Sequence, residues 1–148
     1  MPIALRVATA DDVVEILPRT RALQDHEGIE ITDARLEAAL RVLLASPDLG
    51  GVWLVVRDGA TIGYAIVSYG FDLEFGGRDA FLTELFIDDA QRKTGAGGGA
   101  LALLDTELRA RGVQALHLQV RPENPAMRLY ERSGFVASPR TIMTRRLG

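Results

Sequence analysis

The sequence predicts an α/β fold with a mixed central sheet, and three observations carry that expectation. Strand-like and helix-like runs alternate along the chain, two apolar runs meet at Asp58-Gly59, and a glycine cluster at 95–99 separates a strand-like run from an amphipathic helix. The 148 residues are read as one domain, 1–148, long enough to bury a core.

Taken in order, "IALRVA" (3–8) reads as the first strand. "TADD" at 9–12 places an acid three residues after a threonine, which caps a helix by bonding its first free amides. That helix is expected from about Asp11, kinked or ended by Pro18, with "LQDHEGIE" (23–30) as a connection. Thr32 caps a second helix through Ala45, with Leu36, Leu40, Leu43 and Leu44 on one face, and "SPDLGG" stops it. "VWLVVRDGATIGYAIVSYGF" (52–71) holds two strands of a hairpin. "DLEFGGRD" (72–79) is a second turn and "AFLTELFI" (80–87) the third strand of that meander. A helix over 97–111 shows the stripe Leu101, Leu104 and Leu108, with Gly112 placed to end it. "ALHLQV" (115–120) is a strand, "PENPAMRLYERSG" (122–134) a short helix closed by Gly134, and "TIMTRRL" (141–147) a final strand.

Composition removes several function classes. Apolar residues make up 47% and charged residues 25%, and the formal charge of −3 gives no reason to expect nucleic acid or a membrane as partner. Cysteine is absent, which excludes disulfides, thiolate metal sites and an acyl-cysteine intermediate. With imidazole available only from His26 and His117, no metal site is expected. The N-terminus lacks the pattern of a signal peptide and no apolar run reaches membrane-spanning length, so a cytoplasmic location is expected.

The glycines Gly95, Gly97, Gly98 and Gly99 give up backbone entropy where a helix must nucleate. A loop with few side chains lets backbone N–H groups converge on an anion, and the helix behind it adds its positive end. "GAGGGA" (95–100) fits the dinucleotide fingerprint G-x-G-x-x-A, but it does not follow the first strand, and "ALHLQV" brings no acid for a ribose. A triphosphate loop fails because no Lys-Ser/Thr follows the glycines. A tight turn whose glycines serve only packing remains the plain alternative, although four glycines in five positions exceed what it needs.

"RKTGAG" (92–97) fits R-x-x-G-x-G directly after a strand, and it resembles the pyrophosphate loop of the GNAT superfamily of N-acetyltransferases, which hold acetyl-coenzyme A there. "LHLQVRPENPAMRLYERSGF" (116–135) is similar to that family's second signature, and the two blocks keep the family's order and separation. Lys93 and Thr94 depart from it, standing where a Gly and a basic residue are common, and Gly98-Gly99 extend the run of small residues.

The resemblance implies a GNAT-like fold, with a central mixed sheet of about six to seven strands flanked by about four helices. It implies an acetyl-coenzyme-A-dependent N-acetyltransferase, with acetyl-CoA as co-substrate held by Phe86, Ile87, Arg92, Lys93, Thr94, Gly95, Ala96, Gly97, Gly98 and Asn124. As a bare residue, Asn124 would read as a helix N-cap. A backbone N–H near Phe86 or Ile87 would take the oxyanion.

An attacking alkylamine with a pKa of about 10 must lose a proton, and Glu84 is the candidate base, since a carboxylate on an otherwise apolar strand beside Leu82 and Phe86 is costly unless partnered or functional. An arginine partner or an exposed edge would satisfy it equally well. Tyr130 stands at the family's general-acid position and would protonate the leaving thiolate; without that context it reads as a core tyrosine beside Met127 and Leu129. Having no cysteine, the enzyme would transfer the acetyl group directly in a ternary complex.

The acceptor is read as a small cationic amine, because Asp72, Glu74, Asp79 and Glu84 outnumber Arg78 around 72–88. His26 and Glu27 fall where this family often lines its acceptor pocket, so His26, Glu27, Asp72 and Glu74 are the substrate-binding candidates. A solvated loop and a solvated hairpin tip are the plain alternatives. His117 reads as structural. A coenzyme A sensor and a protein N-acetyltransferase are the competing functions. The acceptor, the acyl length and the oligomeric state stay open, a homodimer being one option.

Overall fold

The computed structural model describes residues 2–148. Nine regular elements follow one another: β1 (Ile3–Val7), α1 (Val13–His26), α2 (Asp33–Leu44), β2 (Gly50–Arg57), β3 (Ala60–Asp72), β4 (Gly77–Ile87), α3 (Ala96–Ala110), β5 (Ala115–His117) and α4 (Met127–Arg132). The strands form one sheet in the order β1-β2-β3-β4-β5, antiparallel except for the parallel β4–β5 pair that α3 connects. The mixed sheet thus has five strands, short of the six to seven expected. "TIMTRRL" adds no strand: Ile142, Met143 and Leu147 are exposed and find no face to bury.

The helix starts follow the expected chemistry. The Thr9 amide donates to Asp12 Oδ2 at 2.8 Å, and Thr32 Oγ1 accepts from the Arg35 amide at 3.2 Å. Asp58 and Gly59 turn the β2–β3 hairpin with φ of 52° and 78°, the left-handed pair that such a two-residue turn requires. Pro18 does not end α1, which runs on to His26; the chain leaves the helix at Gly28, where φ is +70°. Residues 23–26, expected in a connection, are therefore helical. Ile16 and Thr20 on either side of Pro18 are buried, so packing outweighs the one backbone hydrogen bond that proline forfeits.

Two layers of helix cover the sheet. Ile16 of α1 and Leu40 of α2 pack on Leu54, Tyr64 and Ile66, while Leu101, Leu104 and Leu108 of α3 pack on Trp53, Val67 and Leu82 from the opposite face. Among the described residues no helix is long and apolar enough to cross a membrane.

Candidate active site

Site geometry begins with an irregularity in β4. Ile66 faces Glu84 while the next residue, Val67, faces Leu82, so Thr83 is an extra residue, a β-bulge. Leu82 therefore points to the α3 side with Trp53 and Leu104, while Glu84 turns to α1, where Phe86 also packs. The simple alternation of Leu82, Glu84 and Phe86 read from the sequence is broken, because a one-residue shift moves side chains to the other face. Thr83 Oγ1 donates to the Ile66 carbonyl at 3.2 Å across the bulge.

Beyond the bulge β4 also loses its other neighbour. The β4–β5 pairing covers only Asp79↔Ala115, Ala80↔Leu116 and Phe81↔His117, and a cleft of about 1340 Å³ opens where the two segments part. β5 thus ends three residues earlier than the sequence suggests, and Leu118–Val120 become cleft wall. The remaining walls come from the end of α1, the loop and first turn of α3, and α4.

Glu84 lies in the cleft wall, and no arginine bonds it among the described residues. Oε1 accepts from Thr20 Oγ1 and from the Tyr64 hydroxyl, each at 2.6 Å, and Oε2 accepts from Gln24 Nε2 at 3.2 Å. Those three partners escaped sequence reading. Thr20 and Gln24, one helical turn apart on α1, were a readable polar pair, but only the sheet register could bring Tyr64 to them. Burial, then the charge of Glu84, pushes the Tyr64 phenol well above its ordinary range.

Tyr130 lines the same cleft from α4, its ring edge-on to Phe135 at 5.8 Å. Burial first, and the charge of Glu27 second, raise its hydroxyl above the ordinary phenol range, so it stays protonated. His26 and Glu27, the last residue and the C-cap of α1, also line the cleft. Asp72 and Glu74 do not: Asp72 caps the turn at the other end of β4 through the Glu74 amide (2.9 Å), and Glu74 pairs with Arg140 at 2.6 Å. Asp79 is buried and bonded to His117 Nε2 at 3.0 Å, with the imidazole between Phe75 and Phe81.

The glycine loop supplies the other end. Gly95 is the cap of α3 at φ +84°, and Gly99 N makes a helical bond to Gly95 O at 3.0 Å, which leaves the amides of Ala96, Gly97 and Gly98 as the free N–H groups of the first turn. Gly98 and Gly99 are therefore helical and do not lengthen the loop. Gly99 also serves packing, since a Cβ there would stand 3.1 Å from Ile3 Cδ1. Lys93 has φ +62°, a conformation that favours glycine, which accounts for the commoner residue at that position.

Arg92 and Lys93 line the cleft, and the Arg92 guanidinium lies over the Phe86 ring at 5.5 Å and pairs with Asp89 at 2.8 Å. Ile87 reaches the cleft, whereas the Phe86 ring stacks on Tyr64 and Thr94 turns away to Arg57 and the Gln91 carbonyl. Asn124 lines the cleft, and its Oδ1 accepts from the Ala126 amide at 2.8 Å, a cap for the turn into α4. Arg121 and Arg132, which sequence reading passed over, add positive charge to the wall. One cleft therefore joins a carboxylate, a phenol and a helix end with free first-turn amides.

The acetyltransferase (GNAT) family model matches residues 14–135. An integron cassette protein from the mobile metagenome of Cole Harbour Salt Marsh is 27% identical, with a TM-score of 0.85 over 97% of this chain and 90% of that one. A predicted acetyltransferase with acetyl-CoA from Clostridium acetobutylicum is 22% identical, with a TM-score of 0.77 over 97% and 96%. Ribosomal-protein-alanine N-acetyltransferase from Brucella melitensis biovar Abortus 2308 is 16% identical, with a TM-score of 0.80 over 99% and 100%. At these identities the last two likenesses concern the fold. No curated protein matches the sequence.

Proposed function

The chain belongs to the acetyltransferase (GNAT) family, and we propose that it moves an acetyl group from acetyl-CoA to a primary amine of a small cationic molecule, by direct transfer in a ternary complex. The observation carrying this reading is that Glu84 and Tyr130, from different elements, line one cleft that ends on the open first turn of α3.

Fit to coenzyme A is supported by three features of that end. The amides of Ala96, Gly97 and Gly98 are free, and Arg92, Lys93 and Arg121 bring positive charge. Gly97 lines the cleft and places no side chain beside those amides. Acetyl-CoA supplies the acyl thioester. Glu84 takes a proton from the arriving ammonium. The neutral nitrogen then attacks, the N–C bond forms and the C–S bond breaks, the second nitrogen proton passes to solvent, and Tyr130 gives its hydroxyl proton to the departing sulfur. A backbone N–H at Phe86 or Ile87 stabilises the carbonyl oxygen as charge develops on it. Solvent then restores both side chains. Glu27 and Glu84 at the α1 end favour a cationic acceptor over an anionic one. His26 lines that same end, where it can contact the acceptor.

A coenzyme A sensor without turnover is the second reading. What favours it is that both oxygens of Glu84 already accept hydrogen bonds. Release of free thiol from acetyl-CoA, measured with spermidine, tyramine and a peptide bearing a free N-terminus, separates the two. The small amines should accelerate it; no acceleration by any amine refutes the enzyme reading. With the best amine, Glu84→Gln should be slow at neutral pH and recover as the pH approaches the amine's own pKa, where the acceptor arrives deprotonated. A loss confined to KM would make Glu84 a substrate anchor, and a profile parallel to wild type would remove it from the mechanism.

A further inference from the structure

Glu84 is held asymmetrically. Two hydroxyls, Thr20 Oγ1 and the Tyr64 phenol, both donate to Oε1 at 2.6 Å, within the range of O–H···carboxylate bonds. A carboxylate oxygen offers two lone-pair directions, so Oε1 is filled. Oε2 accepts only the longer bond of 3.2 Å from Gln24 Nε2 among the described residues, and Gln24 itself lines the cleft. Both hydroxyl donors are buried, Thr20 at 2% and Tyr64 at 0% exposure, so water cannot readily replace them.

From this geometry we propose that Thr20 and Tyr64 are positioning residues: they occupy Oε1 and so assign proton acceptance from the acceptor amine to Oε2, the oxygen that Gln24 caps from the cleft wall. The inference rests on Glu84 being the base. Gln24 donates to Oε2 with an amide N–H, as an acceptor ammonium would on arrival, so the acceptor displaces a donor of its own kind. Thr20 and Gln24 sit one turn apart on α1, and Gln24 Nε2 also reaches Thr20 Oγ1 at 3.4 Å. The wall that meets the acceptor therefore also aims the carboxylate.

The phenol of Tyr64 is kept protonated by burial and by the neighbouring carboxylate, so it remains a donor at every working pH. The other charged group facing this pair is Arg19 of α1, whose guanidinium is committed to Glu15 and Asp88. Removing either hydroxyl frees a lone pair on Oε1, so the arriving amine meets two competing oxygens and the carboxylate is no longer aimed. The loss should then fall on kcat rather than on KM for the amine.

The test compares Thr20→Val, Thr20→Ser, Tyr64→Phe and Glu84→Gln with wild type, using thiol release with the best amine from the panel above. Coenzyme A binding by calorimetry serves as the check on folding. Thr20→Val and Tyr64→Phe should each lower kcat about tenfold, with KM for the amine and coenzyme A affinity unchanged. Thr20→Ser, which keeps the hydroxyl, should restore kcat. If Glu84→Gln is impaired while Thr20→Val and Tyr64→Phe run parallel to wild type, the positioning role is overturned and the base survives. If Glu84→Gln itself runs parallel to wild type, or no amine is turned over, the base reading fails and this inference fails with it. Should one hydroxyl variant lose coenzyme A binding, the other decides.

Discussion

Gly97 offers the sharpest test of whether the α3 end of the cleft holds coenzyme A. It sits in the first turn of α3 with an ordinary backbone conformation, so any penalty for a larger residue comes from what its side chain meets. A Cβ built there stands 3.0 Å from Leu129 Cδ2, so alanine obliges one flexible methyl to retreat by a few tenths of an ångström. Alanine also improves helix propensity by up to about 1 kcal/mol, so Gly97→Ala should fold at least as well as wild type. Valine adds two more methyls to that tight space, and overpacking of this kind costs about 1–3 kcal/mol. Gly97 and Leu129 both line the cleft, so the added bulk falls in its wall. Coenzyme A affinity of Gly97→Val should fall at least tenfold, worth about 1.4 kcal/mol. Gly98→Ala is the control, because its Cβ would meet Leu129 Cδ1 at an ordinary 3.6 Å. Titration calorimetry with coenzyme A reads affinity, and urea melts read stability. Unchanged affinity in a folded Gly97→Val protein would refute the assignment of the α3 end to the cofactor.

Two further expectations concern the acid and the start of α1. Tyr130→Phe removes only a hydroxyl, so the fold and coenzyme A affinity should persist while turnover drops on the order of 100-fold. A drop below about threefold, less than roughly 1 kcal/mol of barrier, would leave Tyr130 as a packing partner of Phe135. At Asp12, hydrogen bonds from Arg6, followed by that from the Thr9 amide, hold the carboxyl below its usual value. Because that folded-state value is lowered, the stabilisation is present above the unfolded value of about 3.9 and is lost as pH falls through the folded one. Asp12→Ala should therefore cost about 1–2 kcal/mol in urea melts at pH 7 and much less in acid, and an equal cost at both would argue against the charged cap.

Much of the architecture was legible because local chemistry and packing agree. Thr32, the Asp58-Gly59 turn and the stripe of Leu101, Leu104 and Leu108 each do in the fold what their spacing implies. The misreadings come where tertiary packing overrides a local signal. Pro18 looks like a helix end, yet buried residues on both sides keep α1 running to His26, and that extension forms one wall of the cleft. The bulge at Thr83 has no sequence marker, since a β-branched threonine suits a regular strand equally well, and so the face of Glu84 could not be read. Nothing local marks Tyr64 within the hairpin, because its hydroxyl acquires a partner only when β3 and β4 pair. The acidic run at 72–79 misled in the other direction: its charges are spent on a cap, an ion pair with Arg140 and a buried bond to His117, all away from the cleft.

Both ends of the cleft depend on α1, and one side chain makes that dependence physical. Arg19 donates from Nε and Nη2 to the two oxygens of Asp88, each at 2.8 Å, and from Nη2 to the Thr61 carbonyl at 3.1 Å. Asp88 opens the loop that leads to the α3 cap, and its amide bonds the Ile62 carbonyl at 2.8 Å. A bidentate pair with only 19% of the arginine side chain exposed is geometrically specific in a way a flexible surface pair is not. Next along the helix, Thr20 bonds Glu84. Neighbouring residues of α1 therefore bond, one the root of the loop before α3, the other the Glu84 carboxylate. Lys93 holds an unfavourable left-handed conformation within that loop, which persists only where surrounding contacts over-determine it. α1 is thus bonded both to the strand that carries Glu84 and to the residue from which the loop before α3 departs.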